Sequence, residues 1–200
     1  MRKNFMNNST GYFEMLGQRE SSGNYHARNS QGYLGKYQMG EYAMIDTGYY
    51  KKNNHIGSND WSGQFTGKDG VYSARDFLNN PKAQENAVRA YSQKVWGYIK
   101  NYATKYDGQI LNGIPITQSG MLAGAHLVGH KELRKYLESG GTYVPTDYNN
   151  VPITEYMQKF ANYPVFDITK TLPKENKYEL YKRIINPIHN VMPTGFASSI

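Results

Sequence analysis

The stretch Glu20-Ser21-Ser22-Gly23-Asn24-Tyr25, carried on by Gly32-Tyr33-Leu34-Gly35-Lys36-Tyr37-Gln38, decides how the rest of this 200-residue chain is read. It sets one carboxylate at the end of a predicted helix. A Gly-, Ser- and Asn-rich turn follows, and the segment closes on an aromatic–amide pair. Upstream, Thr10 is a predicted N-cap, with Glu14 in the first turn of a helix over residues 10–19. Phe13 and Leu16 lie at i and i+3, and Glu20 falls at i+7 on the same face, so the apolar stripe aims the carboxylate at the edge of the core. A lone Glu is by default a surface residue, because Glu is almost never fully buried without a partner. One held at a core edge beside a glycine turn is a candidate general acid/base.

Working outward, the chain reads as mainly helical. Tyr37 to Thr47 is a predicted helix stopped by Gly48, and residues 49–70 form an irregular region bearing Trp61 and Phe65 among four glycines. Gly67-Lys68-Asp69-Gly70 is a turn and lacks the pattern of a phosphate loop. Asn80-Pro81 opens the clearest helix, with Asn80 as cap and Pro81 at the first helical position. Its stripe of Val88, Tyr91, Val95, Tyr98, Ile99 and Tyr102 reads as core packing and ends at Asp107-Gly108. Thr117 begins another helix through Met121, Leu122, Ala125 and Val128, whose small residues permit close backbone approach. Gly129 interrupts it before Leu133, Tyr136 and Leu137, and Gly140-Gly141 stops it. Pro152 starts a helix with Ile153, Tyr156, Met157 and Phe160. A last helix is expected after Leu172-Pro173. There is no internal repeat, no low-complexity segment and no strong alternating β pattern.

Composition narrows the partners. The 23 basic and 16 acidic residues leave a net charge of +7, which favours an anionic partner. The basic residues are scattered, with no run longer than Lys51-Lys52, and no helix-turn-helix or RNP-like motif is present. A nucleic-acid-binding function is therefore not expected. Nineteen tyrosines against 7 Phe and 2 Trp supply faces that can both stack and hydrogen-bond, as a polar ligand requires. With no cysteine there is no disulfide framework and no thiolate metal site. No stretch is long and apolar enough to span a bilayer, and the Met1–Asn8 start does not read as a signal peptide.

Glu20-Ser21-Ser22-Gly23-Asn24 followed by Gly32-x-x-Gly35-x-x-Gln38 resembles the catalytic motif of lysozyme-fold lytic transglycosylases and goose-type lysozymes. Gly35-Lys36-Tyr37-Gln38 is also similar to the Gly-Arg-Tyr-Gln of lambda-type phage endolysins. Later segments follow in the family's order. Ala123-Gly124-Ala125-His126-Leu127-Val128-Gly129 resembles the cleft-lining Ala-Tyr-Asn-Ala-Gly segment. Thr154-Glu155-Tyr156-Met157-Gln158-Lys159-Phe160 resembles the motif whose Tyr sits near the catalytic Glu. Tyr33, Lys36-Tyr37 and His126 depart from the usual residues, which bears on sugar contacts more than on Glu20.

The resemblance implies a mainly α, α+β lysozyme-like fold: a helical bundle with a short hairpin or irregular loop region bordering a cleft. The likeness runs over roughly residues 10–163, and the expected division is a catalytic domain over residues 1–163 with residues 164–200 as an extension packed on it or partly ordered. It implies cleavage of the β-1,4 bond between N-acetylmuramic acid and N-acetylglucosamine by Glu20, with Tyr37, Gln38, His126 and Tyr156 as substrate-binding residues. A lytic transglycosylase needs no second protein carboxylate. An inverting hydrolase needs one across the ring, and Glu41 ranks first among Glu41, Asp46, Asp60 and Asp69. A non-catalytic peptidoglycan-binding module is the third alternative. No metal or cofactor is expected: His126 and His130 stand at i and i+4, but the His-Glu-x-x-His pattern fails. The expected partner is the peptidoglycan glycan strand, together with an immunity or inhibitor protein if the chain is a delivered effector. The expected place of action is the periplasm or cell wall, reached by a non-standard route or as part of a longer exported protein.

Overall fold

The computed structural model describes residues 9–170, and the helix expected after Leu172 lies outside them. Its helices begin where side chains can satisfy their first amides. Asn80 accepts from the Ala83 N–H and Pro81 opens helix α4 (Pro81–Tyr106). Thr117 accepts from the Gly120 N–H at the head of α5 (Gln118–Val128). Gly129 (φ 85°, ψ 157°) turns the chain into α6 (His130–Glu138), and Gly140 and Gly141, both with positive φ, follow its end. Pro152 precedes α7 (Ile153–Lys159). The N-terminal helix α1 (Thr10–Ser21) is two residues longer than expected, with Ser9 rather than Thr10 at the N-cap position. Glu20 therefore lies inside its last turn.

The predicted helix over residues 37–47 is only α2 (Glu41–Asp46). Leu34 and Met39 exchange backbone hydrogen bonds (3.0 and 2.8 Å), and Gln38 adopts φ 46°, so the chain there makes a turn before it can coil. Several elements had no counterpart in the sequence reading. Ser73 caps α3 (Ala74–Leu78) through the Asp76 N–H. Strands β1 (Ile110–Leu111) and β2 (Ile114–Pro115) pair antiparallel around Asn112-Gly113, both with positive φ. An Asn-Gly pair is the usual sequence of such a two-residue turn, but strands this short show no alternation.

The core is built around α5, which packs on α7, α4 and α6. Its glycines set the spacing: a Cβ at Gly120 would fall 2.7 Å from the Met157 carbonyl oxygen, and one at Gly124 2.9 Å from Ile153. Met121, Ala123 and Ala125 are fully buried against this seam. Helix α8 (Phe166–Thr169) lies against α4, with Val165 and Ile168 buried. Asp167 accepts from the Ser9 N–H (3.1 Å), the Ser9 hydroxyl (2.7 Å) and Arg89 (2.7 Å), which fastens the end of this segment to the start of α1. Residues 22–66 contain little regular structure besides α2 and border α1 and α4 with isolated β-bridges. Among the described residues no helix is long and apolar enough to cross a membrane. The protein is thus mainly α-helical.

Candidate active site

The C-terminal turn of α1 delivers Glu20. The helix stops at Ser22 (φ 56°), and the N–H groups of Ser22 and Gly23 return to the Gln18 and Gly17 carbonyls. The Ser21 hydroxyl donates to the Lys36 carbonyl at 2.8 Å, tying the helix end to the glycine turn. From the opposite side, the Tyr156 hydroxyl of α7 donates to Glu20 Oε1 at 2.8 Å. His126 Nε2 of α5 stands 3.8 Å from the same oxygen. The His126 and Glu20 side chains are 11% and 15% exposed, so they are sheltered but reachable. Oε2 makes no hydrogen bond among the described residues.

Each partner is itself held. Tyr156 stacks on Phe160 (5.7 Å between ring centroids), and the Arg19 guanidinium lies 5.2 Å above its ring while pairing with Glu155 at 2.8 Å. Burial, and then the charge of Glu20, push the Tyr156 hydroxyl well above the ordinary tyrosine range, so it remains a donor across the physiological range. His126 meets the edge of Tyr91 at 6.1 Å. The arrangement offers one carboxylate with a fixed donor on one oxygen and an imidazole beside it. Such a group can give a proton to, and take one from, a ligand atom brought to its other oxygen.

The glycine turn is pinned from α4. Gln84 is buried; its Oε1 accepts from the Lys36 N–H (2.8 Å), and its Nε2 donates to the Tyr25 and Phe77 carbonyls (2.9 and 2.8 Å). Gly35 has φ 76°, and a Cβ there would fall 2.1 Å from Gln84 Oε1, so both backbone shape and space call for glycine. Next to Gln84, Glu85 collects hydrogen bonds from Tyr25 (2.7 Å), Tyr37 (2.7 Å) and Lys36 (3.0 Å). Burial opposes its charge, but those three donors overcome that and hold its carboxyl below the usual range. Neither Gln84 nor Glu85, nor Arg19, was singled out from sequence. The signal for Gln84 and Glu85 is a polar pair breaking the apolar face that Ala83, Ala87 and Val88 form on α4.

Several expected assignments change. Tyr37 is fully buried, with its hydroxyl committed to Glu85 and its ring against Phe13 at 6.3 Å; it packs the turn and presents no face to a ligand. Gln38 donates through Nε2 to the Gly35 carbonyl at 2.9 Å, capping its own turn. Glu41 is fully buried, and its carboxylate accepts from the N–H groups of Gly57 (2.8 Å), Asn59 (3.2 Å) and Trp61 (3.4 Å). That is a loop anchor, and its oxygens are not presented to a bound sugar as a second carboxylate would have to be. Asp60 is engaged with Ser62, and Asp69 with Tyr49 and Asn86. Asp46 reaches the Tyr98 hydroxyl at 3.4 Å. His126 and His130 are not on one helix, since Gly129 separates α5 from α6. His130 instead lies against Tyr98 at 4.9 Å. Among the described residues no group of three or more His, Asp or Glu could hold a metal ion.

Glu20, His126 and Tyr156 are thus brought together, while Tyr37, Gln38 and Glu41 support the walls. Comparison with protein-family models, with characterised proteins and with solved structures gives no match to this chain.

Proposed function

We propose that the chain cleaves the β-1,4 bond between N-acetylmuramic acid and N-acetylglucosamine in peptidoglycan, acting as a lytic transglycosylase that leaves 1,6-anhydro ends. The observation that carries this reading is the single sheltered carboxylate, Glu20, with Tyr156 hydrogen-bonded to it and His126 beside it. The order of the four sequence segments, resembling those of lysozyme-fold enzymes, supplies the substrate. In this mechanism the protonated Glu20 gives its proton to the glycosidic oxygen as the bond to C1 breaks. The substrate's N-acetyl oxygen bonds to C1 in its place. The carboxylate of Glu20 then takes the proton of the muramoyl 6-hydroxyl as that oxygen bonds to C1 and displaces the N-acetyl oxygen. Tyr156 keeps its donor on Oε1 throughout, which orients the carboxyl and steadies its ionised form between the two proton transfers.

The engagement of Glu41 with the backbone also favours a one-carboxylate mechanism over the hydrolytic alternative. Mass spectrometry of muropeptides released from purified sacculi tests the reading. Anhydro ends are expected from the native protein and none from Glu20→Gln. Reducing ends would replace the transglycosylase by a hydrolase, and release undiminished in Glu20→Gln would remove Glu20 from the chemistry.

A further inference from the structure

Arg19 occupies a place for which the stability of the fold gives little reason. Its guanidinium lies 5.2 Å above the Tyr156 ring, and its Nη2 donates to Glu155 Oε1 at 2.8 Å. The two charged side chains are 29% and 47% exposed, so the pair contributes little to stability. Arg19 Nε, by contrast, is buried with no hydrogen-bond partner among the described residues, which costs free energy. The Tyr156 ring is already stacked on Phe160. A cation in the last turn of α1 suits the helix dipole, but a lysine would serve that need as well. An aliphatic side chain would cover the ring without leaving a donor unsatisfied.

The surroundings of Glu20 give this arginine a use. Among the described residues, the titratable groups that act on the Glu20 carboxylate are Tyr12 and Arg19 of α1, His126 of α5 and Tyr156 of α7. The glycine turn meets the same helix end through the Lys36 carbonyl, while the Lys36 ammonium is taken up by Glu85 and Glu14. Of the four groups, Arg19 alone is a permanent cation. Burial, and then the charge of Glu20, push the Tyr156 hydroxyl up, and the charge of Arg19 works against both. A cation above a phenol ring is attracted to its π face and draws electron density from it. The hydroxyl is then a stronger donor to the carboxylate oxygen it meets at 2.8 Å.

We propose that Arg19 is a positioning residue that acts on Glu20 through Tyr156, fixing the ring and strengthening the hydrogen bond its hydroxyl gives to Oε1. The carboxylate left when Glu20 protonates the glycosidic oxygen is thereby stabilised. That support is still in place when the carboxylate takes the proton of the 6-hydroxyl. Glu155 has the complementary task of keeping the guanidinium over the ring. A direct ion pair with Glu20 would hold its proton off and spoil the first step. The part played in cleavage rests on the transglycosylase reading above, whereas the coupling of Arg19 to Glu20 rests on the geometry.

Glu20 can be followed directly as well as through the rate. Glutamate carboxyl carbons are isotope-labelled for NMR, and the Glu20 resonance is identified by its loss in Glu20→Gln. Arg19→Met keeps the packing and removes the charge. It is expected to raise the midpoint of the Glu20 titration by about half a pH unit, as one partly screened charge does. In a Tyr156→Phe background the same replacement is expected to move it by less than half as much. Arg19→Lys is expected to restore most of the native midpoint. On sacculi, Arg19→Met is expected to lower kcat about three- to thirtyfold with little change in KM. The alkaline limb of its rate profile should move to higher pH along with the titration. Its urea midpoint should equal or exceed the native one, whereas loss of a purely structural staple would lower it and leave kcat alone. An unmoved Glu20 midpoint in Arg19→Met, or an equal shift with and without the Tyr156 hydroxyl, overturns the inference whether or not the protein cleaves sacculi. Native kcat and an unchanged pH profile in Arg19→Met overturn it too. A native protein that cleaves nothing, with the midpoint shifted through Tyr156 as expected, removes the transglycosylase reading and retains the coupling.

Discussion

Replacing Glu41 separates a structural carboxylate from a catalytic one. Its side chain is fully buried and accepts three backbone N–H groups, while its own N–H donates to Asn59 Oδ1 at 2.8 Å. The loop it holds contains Asn59 (φ 52°) and Trp61 (φ 61°), two non-glycine residues in the left-handed region that need support to stay there. Hydrogen bonds to a charged acceptor contribute about 1.5–3 kcal/mol each, but only the Gly57 contact has strong geometry, and burying the carboxylate offsets part of the gain. Leaving a buried donor without its acceptor costs about 1–3 kcal/mol, so orphaning these amides costs about 3–5 kcal/mol in all. For Glu41→Ala that is a large share of the roughly 5–15 kcal/mol holding a domain folded. The melting temperature is expected to drop by about 6–20 °C, at about 2–4 °C per kcal/mol for this size. Glu41→Gln keeps one acceptor for Gly57 but turns an amide toward the remaining donors, so about half that loss is expected. Urea unfolding followed by Trp fluorescence reads both variants, and release of muropeptides from sacculi reads their activity. If both keep native stability within about 0.5 kcal/mol and neither cleaves, Glu41 belongs to the chemistry and the anchoring account is wrong.

Tyr156→Phe removes only the hydroxyl on Glu20, because the ring keeps its contacts with Phe160 and Arg19. Losing a hydrogen bond worth about 1.5–3 kcal/mol is expected to lower kcat/KM on sacculi roughly ten- to 150-fold, and a change under twofold would refute its role. Gly97→Ala is expected to stabilise the protein by about 0.5–1 kcal/mol in urea unfolding, since the added methyl meets nothing; a loss of stability would show that the space is occupied. Alkaline unfolding follows from the tyrosines. Tyr136 is fully buried, its hydroxyl has no partner among the described residues, and burial pushes it up to about 12. A pKa raised in the folded state leaves stability intact below pH 10 and removes it as pH climbs from about 10 toward 12. The urea midpoint should therefore fall above pH 10, and less steeply in Tyr136→Phe; identical slopes would argue that another group governs the transition.

How far the sequence could be read depended on whether a feature was local. Asn80-Pro81 and Thr117 carry their helix starts in one or two residues, and both helices begin there. The α1 stripe correctly turns Glu20 inward, and the small residues of α5 do allow a close α7, which brings His126 and Tyr156 to the carboxylate. Roles set by distant partners were not legible. Whether Tyr37 faces a ligand or the core is decided by Glu85, far along the chain on α4. What Glu41 does is decided by three amides of a loop with no periodicity at all. The Asn112-Gly113 hairpin was missed, because strands of two residues show no alternation to flank the turn pair.

The hydrogen bonds that join Ser9 to Asp167 have a topological result. They bring two points of the chain 158 positions apart to within a single 3.1 Å contact, and Arg89 of α4 donates to the same carboxylate. A protease cut between α7 and α8 would therefore leave α8 still held to the start of α1 through Asp167, while the Glu20 site, built from α1, α5 and α7, keeps all of its parts.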